Sequence, residues 1–334
     1  MPYGKSDNAV IRPDLGVVVD EHRQSIGMGM IAGKILPYFP VALQAFGFPV
    51  LPKEMMLKLK ETARAPRAAY GRGDWQWENG IYMTKENGWE EPVDDREKAM
   101  YATLFDAEAV AAKRANKIVL HAREKRVSDL VFNTTRFSGH AVSNEWSDAV
   151  NATPITDVKD ARQAVELQCG MTPNALITDS TTFDCIKECD QIVERIKYTF
   201  PGIEITDMNA AQVAQALGVK YLLVGGGVYD AAGENKDANI TRFWPSDQVM
   251  LTRIAEDNDI TEPCIGRTFY WTEESGSEGE VKAIVETYRE DKTRGDVVRV
   301  RHDSDEALLA SHDDSKAIKS DIAAAVSYRM TNIQ

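Results

Sequence analysis

The segment from Lys220 to Lys236, KYLLVGGGVYDAAGENK, places three consecutive glycines directly after an apolar run that is typical of a strand. A loop that binds dinucleotide phosphates requires G-x-G-x-x-G at the start of a helix. Gly225 and Gly227 supply the first two glycines, but Asp230 occupies the third position. The residues that follow are typical of a turn and a second strand. The pattern predicts a β-hairpin, and an α/β enzyme that uses the glycine-rich turn is the less favoured alternative.

Other residues that could bind a metal or act as nucleophiles are scattered along the chain. The five histidines, at positions 22, 121, 140, 302 and 312, lack the spacing of metal ligands. Cys185 and Cys189 could share a helix face, but two thiolates supply only half of a structural zinc site, so buried free cysteine is favoured. No motif of a serine hydrolase, zinc protease or P-loop enzyme occurs. We expect no catalytic residue, no cofactor and no metal.

A predicted helix near the middle of the chain is strongly basic. Residues 107–127 contain six basic and two acidic residues, and Asp106 is placed to cap the helix. Two interpretations remain open: the favoured one is an ordinary solvent-exposed helix face, and the other is a face that contacts phosphate. The candidate residues for such a basic face are Lys113, Arg114, Lys117 and Arg123.

The composition narrows the function classes. The 334 residues include 39 Lys and Arg against 52 Asp and Glu, a net charge of -13, which argues against a generic nucleic-acid-binding protein. Four cysteines are too few for a disulfide framework, and no basic-then-apolar signal opens the sequence. We therefore expect synthesis in a reducing cytoplasm.

Residues 26–52 are nearly all apolar and long enough to span a membrane. Pro37, Pro40, Pro49 and Pro52 would leave backbone groups unsatisfied in lipid, so a membrane helix is disfavoured. The segment is instead expected to be an extended arm whose apolar side chains must be covered by something else, a cover that one copy of the chain can lack. The residues Pro37, Phe39, Pro40 and Val41 are the candidates for contacts between subunits.

Residues 53–95 are expected to form a long two-stranded loop with little core of its own. Asn79-Gly80 lies between β-prone flanks and predicts a hairpin turn there. Trp75 and Trp77 are further candidates for contacts between subunits.

The remaining chain alternates helices and strands before it becomes strand-rich. Asp157 is expected to cap a helix that ends at Gly170, and Asp179 or Ser180 to start the helix after the buried strand NALITD. Residues 203–207 are predicted to form a strand, and Gly218 to stop a short helix. Beyond Pro263 the pattern predicts three strands and an Ala-rich closing helix.

The order of these segments resembles the major capsid proteins of tailed bacteriophages, whose Hong Kong 97-like fold is shared with encapsulin shells. The resemblance covers most of residues 25–300, and each motif alone is loose. It rests on the arm IAGKILPYFPV, the loop APRAAYGRGDW to ENGWEEPVDD, and the spine helix DAEAVAAKRANKIVLHAREKRVSDLVFN. The segments WSDAVNATPITDVKDARQAV, MTPNALITDSTTFDCIK, VKYLLVGGGVYDAA, ANITRFWPSDQVML and EPCIGRTFYW follow in order.

The resemblance implies an α+β fold with five regions. These are an N-terminal arm (1–52), an extended loop (53–95), a spine helix with peripheral domain (96–154), an α/β axial domain (155–262), and return strands with a C-terminal segment (263–334). It implies a non-enzymatic coat protein of the virion, which forms pentamers and hexamers around double-stranded DNA. An encapsulin-like compartment shell is the alternative.

The implied partners are further copies of the chain, a portal and a scaffolding protein. A separate scaffolding protein is expected because only about 25 polar residues precede the arm, whereas family members with a built-in scaffold carry a long charged extension. Non-specific contact with packaged DNA is possible, and no membrane is expected. No local motif assigns the lysine and asparagine that crosslink subunits in some family members.

Overall fold

A long central helix organises the computed structural model, which describes residues 9–25, 29–73, 76–199, 208–233, 235–272, 283–292, 294–313 and 315–334. This helix, α5 (Ala107–Val131), begins at Asp106, whose carboxylate accepts hydrogen bonds from the amides of Glu108 and Ala109. The predicted spine helix and its cap are confirmed. The helix buries small residues in its first half and larger ones near its end, so different layers pack on the two halves.

The first half of α5 packs on a mixed six-stranded sheet, which we call the peripheral sheet. Its strand order is β1-β13-β14-β12-β2, with β5 on β14. The strands are β1 (Val10–Ile11), β2 (Tyr38–Val41), β5 (Lys85–Asp94), β12 (Gly266–Trp271), β13 (Ile284–Glu290) and β14 (Gly295–Leu308). Val298 and Val300 of β14 pack against Ala111, Ala112 and Ala115 of α5. The helices α1 (Pro13–Ser25) and α4 (Asp95–Tyr101) flank this layer.

A second sheet, the axial sheet, has the strand order β6-β17-β11-β7-β8. Its strands are β6 (Gly139–Ala141), β7 (Ala175–Asp179), β8 (Tyr221–Gly225), β11 (Gln248–Thr252) and β17 (Tyr328–Thr331). Every residue of β7 is buried, as predicted for NALITD. The accompanying helices are α6 (Pro154–Cys169), α7 (Ser180–Glu188), α8 (Asp190–Thr199) and α9 (Ala210–Leu217). Side chains from these helices bury one face of the sheet in a large apolar core.

Several predicted boundaries in the axial region are confirmed. The carboxylate of Asp179 accepts from the amide of Thr181 and caps α7. Gly170 and Gly218 end α6 and α9 with φ of 70° and 71°, left-handed values that favour glycine. The predicted strand 203–207 lies outside the described residues.

Two other sequence predictions in this region are wrong. The residue before α6 is Thr153, followed by Pro154 at the first helical position, and Asp157 instead accepts a hydrogen bond from the indole of Trp146 at 2.8 Å. The closing Ala-rich helix is only α10 (Ile322–Ala325), which follows a small hairpin of β15 (Ala310–His312) and β16 (Ile318–Asp321). The chain then ends in β17, paired with β11 and β6, so a boundary at 263 divides the axial sheet.

The hairpin predicted after the three glycines is present. It consists of β9 (Val228–Asp230) and β10 (Ile240–Arg242), paired antiparallel. The strand, turn and strand pattern of the sequence is therefore confirmed.

The two strands of the extended loop and the turn between them lie at different positions from the predicted ones. Its two strands are β3 (Ala45–Val50) and β4 (Glu78–Met83), with the short helix α3 (Lys53–Leu57) between them. Asn79-Gly80 lies inside β4, so the hairpin turn predicted there is wrong. A Cβ on Gly80 would overlap the ring of Phe48, so this glycine allows close packing. The loop begins at Ala45, eight residues before the predicted boundary.

Part of the N-terminal arm is buried within its own subunit, contrary to expectation, although residues 42–47 are exposed. Four side chains in and beside α2 (Ala32–Ile35) pack on the second face of the axial sheet: Ile31, Ala32, Ile35 and Leu36. Ile35 and Leu36 are both 0% exposed. The sheet leaves this face without a layer of its own helices, and the arm and the end of α5 cover it. No described helix is long and apolar enough to cross a membrane.

Replacing Leu36 with alanine tests this placement of the arm. We expect Leu36→Ala to lower the free energy of unfolding by about 2–5 kcal/mol, because it leaves a cavity between the arm and the axial sheet. The control Leu43→Ala changes a side chain that is 53% exposed and should alter stability by less than about 0.5 kcal/mol. Urea unfolding measures both values. Equal stability of both variants and the wild type would show that the arm does not belong to the subunit core.

Candidate assembly surfaces and the spine junction

The carboxylate of Glu124 on α5 joins three parts of the subunit. Its oxygens accept hydrogen bonds from the amides of Ile31 and Ala32 at 2.8 and 3.1 Å, and from the indole of Trp244 at 2.8 Å. Glu124 is 2% exposed. The residue before α2, Ile31, has no side chain that could cap the helix, so Glu124 satisfies the first amides of α2 from another element. The arm, the spine helix and the segment after β10 are thereby held together.

The neighbouring residue, Arg123, is not part of an exposed basic face. It is 5% exposed, its guanidinium donates to the hydroxyls of Tyr38 and Thr268, and it lies over the Tyr38 ring at 4.1 Å. Including Arg123 in the candidate basic face was therefore wrong. Its position on the helix turns it towards the peripheral sheet, where hydroxyls and the carboxylate of Glu306 compensate its charge.

The inner side of β14 carries a second buried polar group beside this junction. His302 is 5% exposed, and its Nδ1 lies 3.3 Å from the hydroxyl of Ser304. Burial, together with the positive charge of Arg123, lowers the pKa of His302 to about 4. The imidazole is therefore neutral at physiological pH and adds no positive charge between α5 and β14.

The other candidate cations on α5 are accessible. Arg114 and Lys117 are exposed and Lys113 is partly exposed. None of the three has an ion pair with a carboxylate in the part of the chain that the structure describes. In contrast, Arg126 binds Glu306 through two hydrogen bonds of 3.0 and 3.1 Å. The accessible basic face is therefore smaller than the sequence predicts and consists of Lys113, Arg114 and Lys117.

Three of the four arm residues proposed to contact a neighbour, Phe39, Pro40 and Val41, lie in β2 of the peripheral sheet of their own subunit. Residues 38–41 pair in parallel with β12, and the amide of Thr268 donates to the carbonyl of Pro37. Val41 is buried, Phe39 packs edge-on against Phe269, and only Pro40 is exposed. The reason given for a neighbour contact, that these side chains cannot be buried within one subunit, is therefore wrong for Phe39 and Val41.

The extended loop exposes apolar side chains that its own subunit does not cover. Phe48, Val50 and Tyr82 pack on the subunit, and Tyr82 stacks on Phe269 with ring centroids 4.6 Å apart. Beyond this root the chain is open: every residue from 57 to 73 is exposed. Of the two candidate tryptophans, Trp77 is 48% exposed and Trp75 lies outside the described residues.

Gly225 and Gly226, the first two of the three glycines, allow close packing. A Cβ on Gly225 would overlap the indole of Trp244. The amide of Gly226 donates to the carbonyl of Gly29 at 3.1 Å, and Gly29 has a left-handed φ of 61°. The arm therefore crosses directly over the glycines, and β9 follows them instead of a helix. This geometry contradicts the phosphate-binding alternative, which needs free amides at the start of a helix.

A cleft at the root of the extended loop brings a serine and a histidine together. The Oγ of Ser138 lies 3.4 Å from Nε2 of His140, whose ring stacks on Tyr328. Within the described residues no carboxylate orients this imidazole, so the pair lacks the third group of a catalytic triad. Arg136 and Asp321 form a bidentate ion pair in the same cleft. The described residues contain no group of three or more metal-binding side chains.

All four cysteines are free. Burial raises the pKa of Cys189 to about 12 and that of Cys264 to about 11, so both are neutral thiols. The interpretation of Cys189 as a buried apolar residue agrees with this geometry, whereas Cys185 is partly exposed.

Comparison with solved structures identifies the architecture. A phage-related protein from Bordetella bronchiseptica superposes with a TM-score of 0.67 at 20% sequence identity, covering 97% of this chain and 98% of the other. A putative capsid protein of a prophage in Escherichia coli CFT073 superposes with a TM-score of 0.50 at 10% identity, covering 97% and 99%. The chain has the Hong Kong 97-like capsid fold. The expected α+β arrangement is confirmed.

Sequence comparison agrees with this capsid fold. The chain is 26% identical over 247 residues to the major capsid protein of Burkholderia phage BcepMu, covering 71% of this chain and 77% of the relative. No family model matches the chain. The capsid fold and the sequence relative together confirm the resemblance to tailed-phage capsid proteins.

The sequence analysis did not identify Glu124, whose carboxylate binds two distant segments, or the positive charge of the extended loop. Glu124 recurs with Val127 and Val131 on the buried face of α5, and an acidic residue in a buried position of a basic helix is the signal that could have identified it. The loop's five basic residues between 57 and 73 are equally visible in the sequence.

Replacing Glu124 with glutamine tests the junction. The amide keeps the shape but offers one acceptor oxygen for three donors, so we expect the free energy of unfolding to fall by about 1.5–3 kcal/mol. The control Glu194→Gln, at an exposed position on α8, should change stability by less than about 0.5 kcal/mol. Urea unfolding followed by circular dichroism measures the difference. Wild-type stability of Glu124→Gln would contradict the role assigned to this carboxylate.

Proposed function

We propose that this chain is the major capsid protein of a tailed phage and assembles into pentamers and hexamers of an icosahedral head around double-stranded DNA. The observation that carries this proposal is the capsid fold, which extends over 97% of the chain, together with sequence similarity to a phage major capsid protein. The role is structural and belongs to the virion. The described residues are consistent with it, since the extended loop exposes apolar side chains that contact with another protein would bury.

The extended loop is the surface that most needs a neighbour. Leu57, Leu59 and Tyr70 are 49%, 97% and 70% exposed, and Trp77 adds a half-exposed indole. A monomer gains no free energy from apolar groups that remain in water, whereas contact with another subunit would bury them. We propose that the loop and the exposed Pro40 contribute to contacts between subunits, and that Pro37, Phe39 and Val41 support them from within the peripheral sheet.

The accessible face of α5 is proposed to contact packaged DNA without sequence specificity. Lys113, Arg114 and Lys117 leave three positive charges on one helix face, and such charges attract phosphate in a manner that weakens with salt. A solvated face with no ligand is the competing interpretation. A separate scaffolding protein and a portal are further proposed partners of assembly.

An encapsulin-like shell around a cargo enzyme has the same fold and is the second candidate. The similarity to a phage major capsid protein over 71% of this chain favours the phage coat. The two functions differ in what the shell contains, which an experiment can determine directly.

Expression of the protein, alone and with a phage scaffolding protein, tests the proposed function. We expect closed icosahedral shells with pentamers and hexamers in electron micrographs of purified material. Subunits that remain monomeric in sedimentation under every assembly condition would contradict the proposal. Shells that form without phage head proteins and contain a co-purified enzyme would support the compartment instead.

Charge reversal on α5 tests the DNA contact. We expect Arg114→Glu with Lys117→Glu to leave shells intact but to lower the DNA retained in filled heads roughly twofold at low salt, with a smaller difference from the wild type as salt rises. The matched control, Lys159→Glu with Lys197→Glu, reverses two exposed cations of the axial helices. Nuclease-protected DNA per particle is the measurement. Equal retention in both double variants and the wild type would show that this helix face has no DNA contact.

A further inference from the structure

The cleft that contains Ser138 and His140 is formed by distant parts of the chain. Its walls are the start of α3, residues 136–140 after α5, the end of α6, and residues 319–329. Its volume is about 360 Å³. Sites that hold small molecules in proteins have volumes of about 300–1,000 Å³. All of the walls belong to one chain, so the cleft is complete in the unassembled subunit.

Arg329 of β17 lines this cleft and is a buried cation, since it is only 7% exposed. Its Nε donates to the carbonyl of Phe137 at 3.0 Å, and its Nη1 donates to Oε1 of Gln248 at 2.8 Å. Both acceptors are neutral. Arg329 forms no ion pair with a carboxylate of the described residues. A charge removed from water is normally paired with an opposite charge, and this guanidinium lacks such a pair within its own subunit.

The third nitrogen of the guanidinium, Nη2, is placed to bind a ligand. It has no hydrogen-bond partner among the residues that the structure describes. A Cβ on Gly139 would come within 2.8 Å of this nitrogen, so Nη2 lies beside the short stretch between Ser138 and His140, two residues of the cleft wall. The hydroxyl and the imidazole of these two residues are further groups that can donate hydrogen bonds.

Two other cations of the cleft are already compensated. Arg136 binds the carboxylate of Asp321 through two hydrogen bonds of 2.8 and 3.0 Å. Lys319 forms an ion pair with Glu78 of β4. These pairs show that carboxylates of the subunit are directed at some of the cleft's cations but not at Arg329.

Lys53, the first residue of α3, is a second cation of the cleft without an ion pair in the described part of the chain. Its side chain is exposed and belongs to the root of the extended loop. Glu54 also lines the cleft, but it is exposed and forms no ion pair with Lys53 or Arg329. The cleft therefore combines a buried guanidinium with an accessible ammonium, and neither charge is neutralised.

We propose that this cleft binds a small oxyanion, a phosphate or carboxylate group, through Arg329 and Lys53. A guanidinium and an ammonium both donate to the oxygens of such groups, and the planar guanidinium suits them best. A bound anion links β17 to the root of the extended loop, so it stabilises the folded subunit by mass action. A phosphate in the backbone of duplex DNA is a poorer ligand, because only a group that enters the cleft reaches a guanidinium that is 7% exposed.

Calorimetric titration of unassembled wild-type subunits with inorganic phosphate tests the site. At constant ionic strength we expect one phosphate to bind per subunit and the melting temperature to rise with phosphate concentration. A parallel titration with acetate distinguishes the two classes of oxyanion, and binding of either supports the proposal. Subunits that bind neither anion, and whose melting temperature neither anion raises, would overturn it.

Two substitutions place the anion in the cleft. Lys53→Ala removes an exposed charge and should weaken phosphate binding roughly fivefold. The matched control Lys159→Ala, at an exposed position of α6 outside the cleft, should stay within about twofold of the wild type. Arg329→Lys should weaken binding roughly tenfold or more, because an ammonium cannot keep both existing hydrogen bonds and also hold the anion.

Circular dichroism checks that Arg329→Lys is folded. If it is not, the comparison of Lys53→Ala with Lys159→Ala decides by itself, because both positions are exposed. Phosphate binding by Lys53→Ala that equals that of the wild type would overturn the proposal.

Duplex DNA tests the other source of phosphate groups. We expect added duplex to leave phosphate bound to wild-type subunits, which would support a small ligand. If duplex displaces phosphate from the wild type and binds more weakly to Lys53→Ala, the cleft recognises a nucleic-acid backbone and the proposal is wrong.

Discussion

The buried carboxylate of Glu124 holds together segments that are distant in the sequence. Two layers, the peripheral and axial sheets, meet along α5, and the N-terminal arm crosses both. A charge removed from water is tolerated only when donors compensate it, and three donors from two other segments do so here. Arg123, one residue earlier, binds the peripheral sheet in the same way. This pair of adjacent charged residues makes the subunit a single body around the spine helix.

The arm and the extended loop differ in how much of their apolar surface their own subunit covers. The arm, which the sequence pattern suggests is a free extension, contributes Ile35 and Leu36 to the core and β2 to a sheet. The extended loop instead leaves the subunit after Val50 and exposes both apolar and basic groups. Residues 57–73 have a net charge of +4 and the accessible face of α5 is also basic, whereas the whole chain has a net charge of -13. A subunit with this division is suited to assembly with its own copies.

Local sequence signals predicted the structure correctly at helix ends, where capping residues and left-handed glycines are strongly preferred. Asp106, Asp179, Gly170 and Gly218 mark helix ends, and the caps and left-handed φ values confirm them. Local signals were misleading where packing against a distant segment determines the conformation. Asn79-Gly80 favours a turn, but Gly80 is needed opposite Phe48 within a strand. Arg123 looks like its exposed neighbours until the partner strand is known, and the arm's burial depends on a sheet face formed up to 300 residues later.

Hydrogen exchange of the same protein before and after shell formation measures directly whether the subunit fold is complete in one chain. We expect the amides of α5 and β14 to be protected equally in free subunits and in shells, because their hydrogen bonds and packing lie within one chain. We expect the amides of residues 57–73 to exchange rapidly in free subunits and to become protected on assembly. Rapid exchange of residues 57–73 in both states, or protection of α5 only in shells, would contradict this organisation of the subunit.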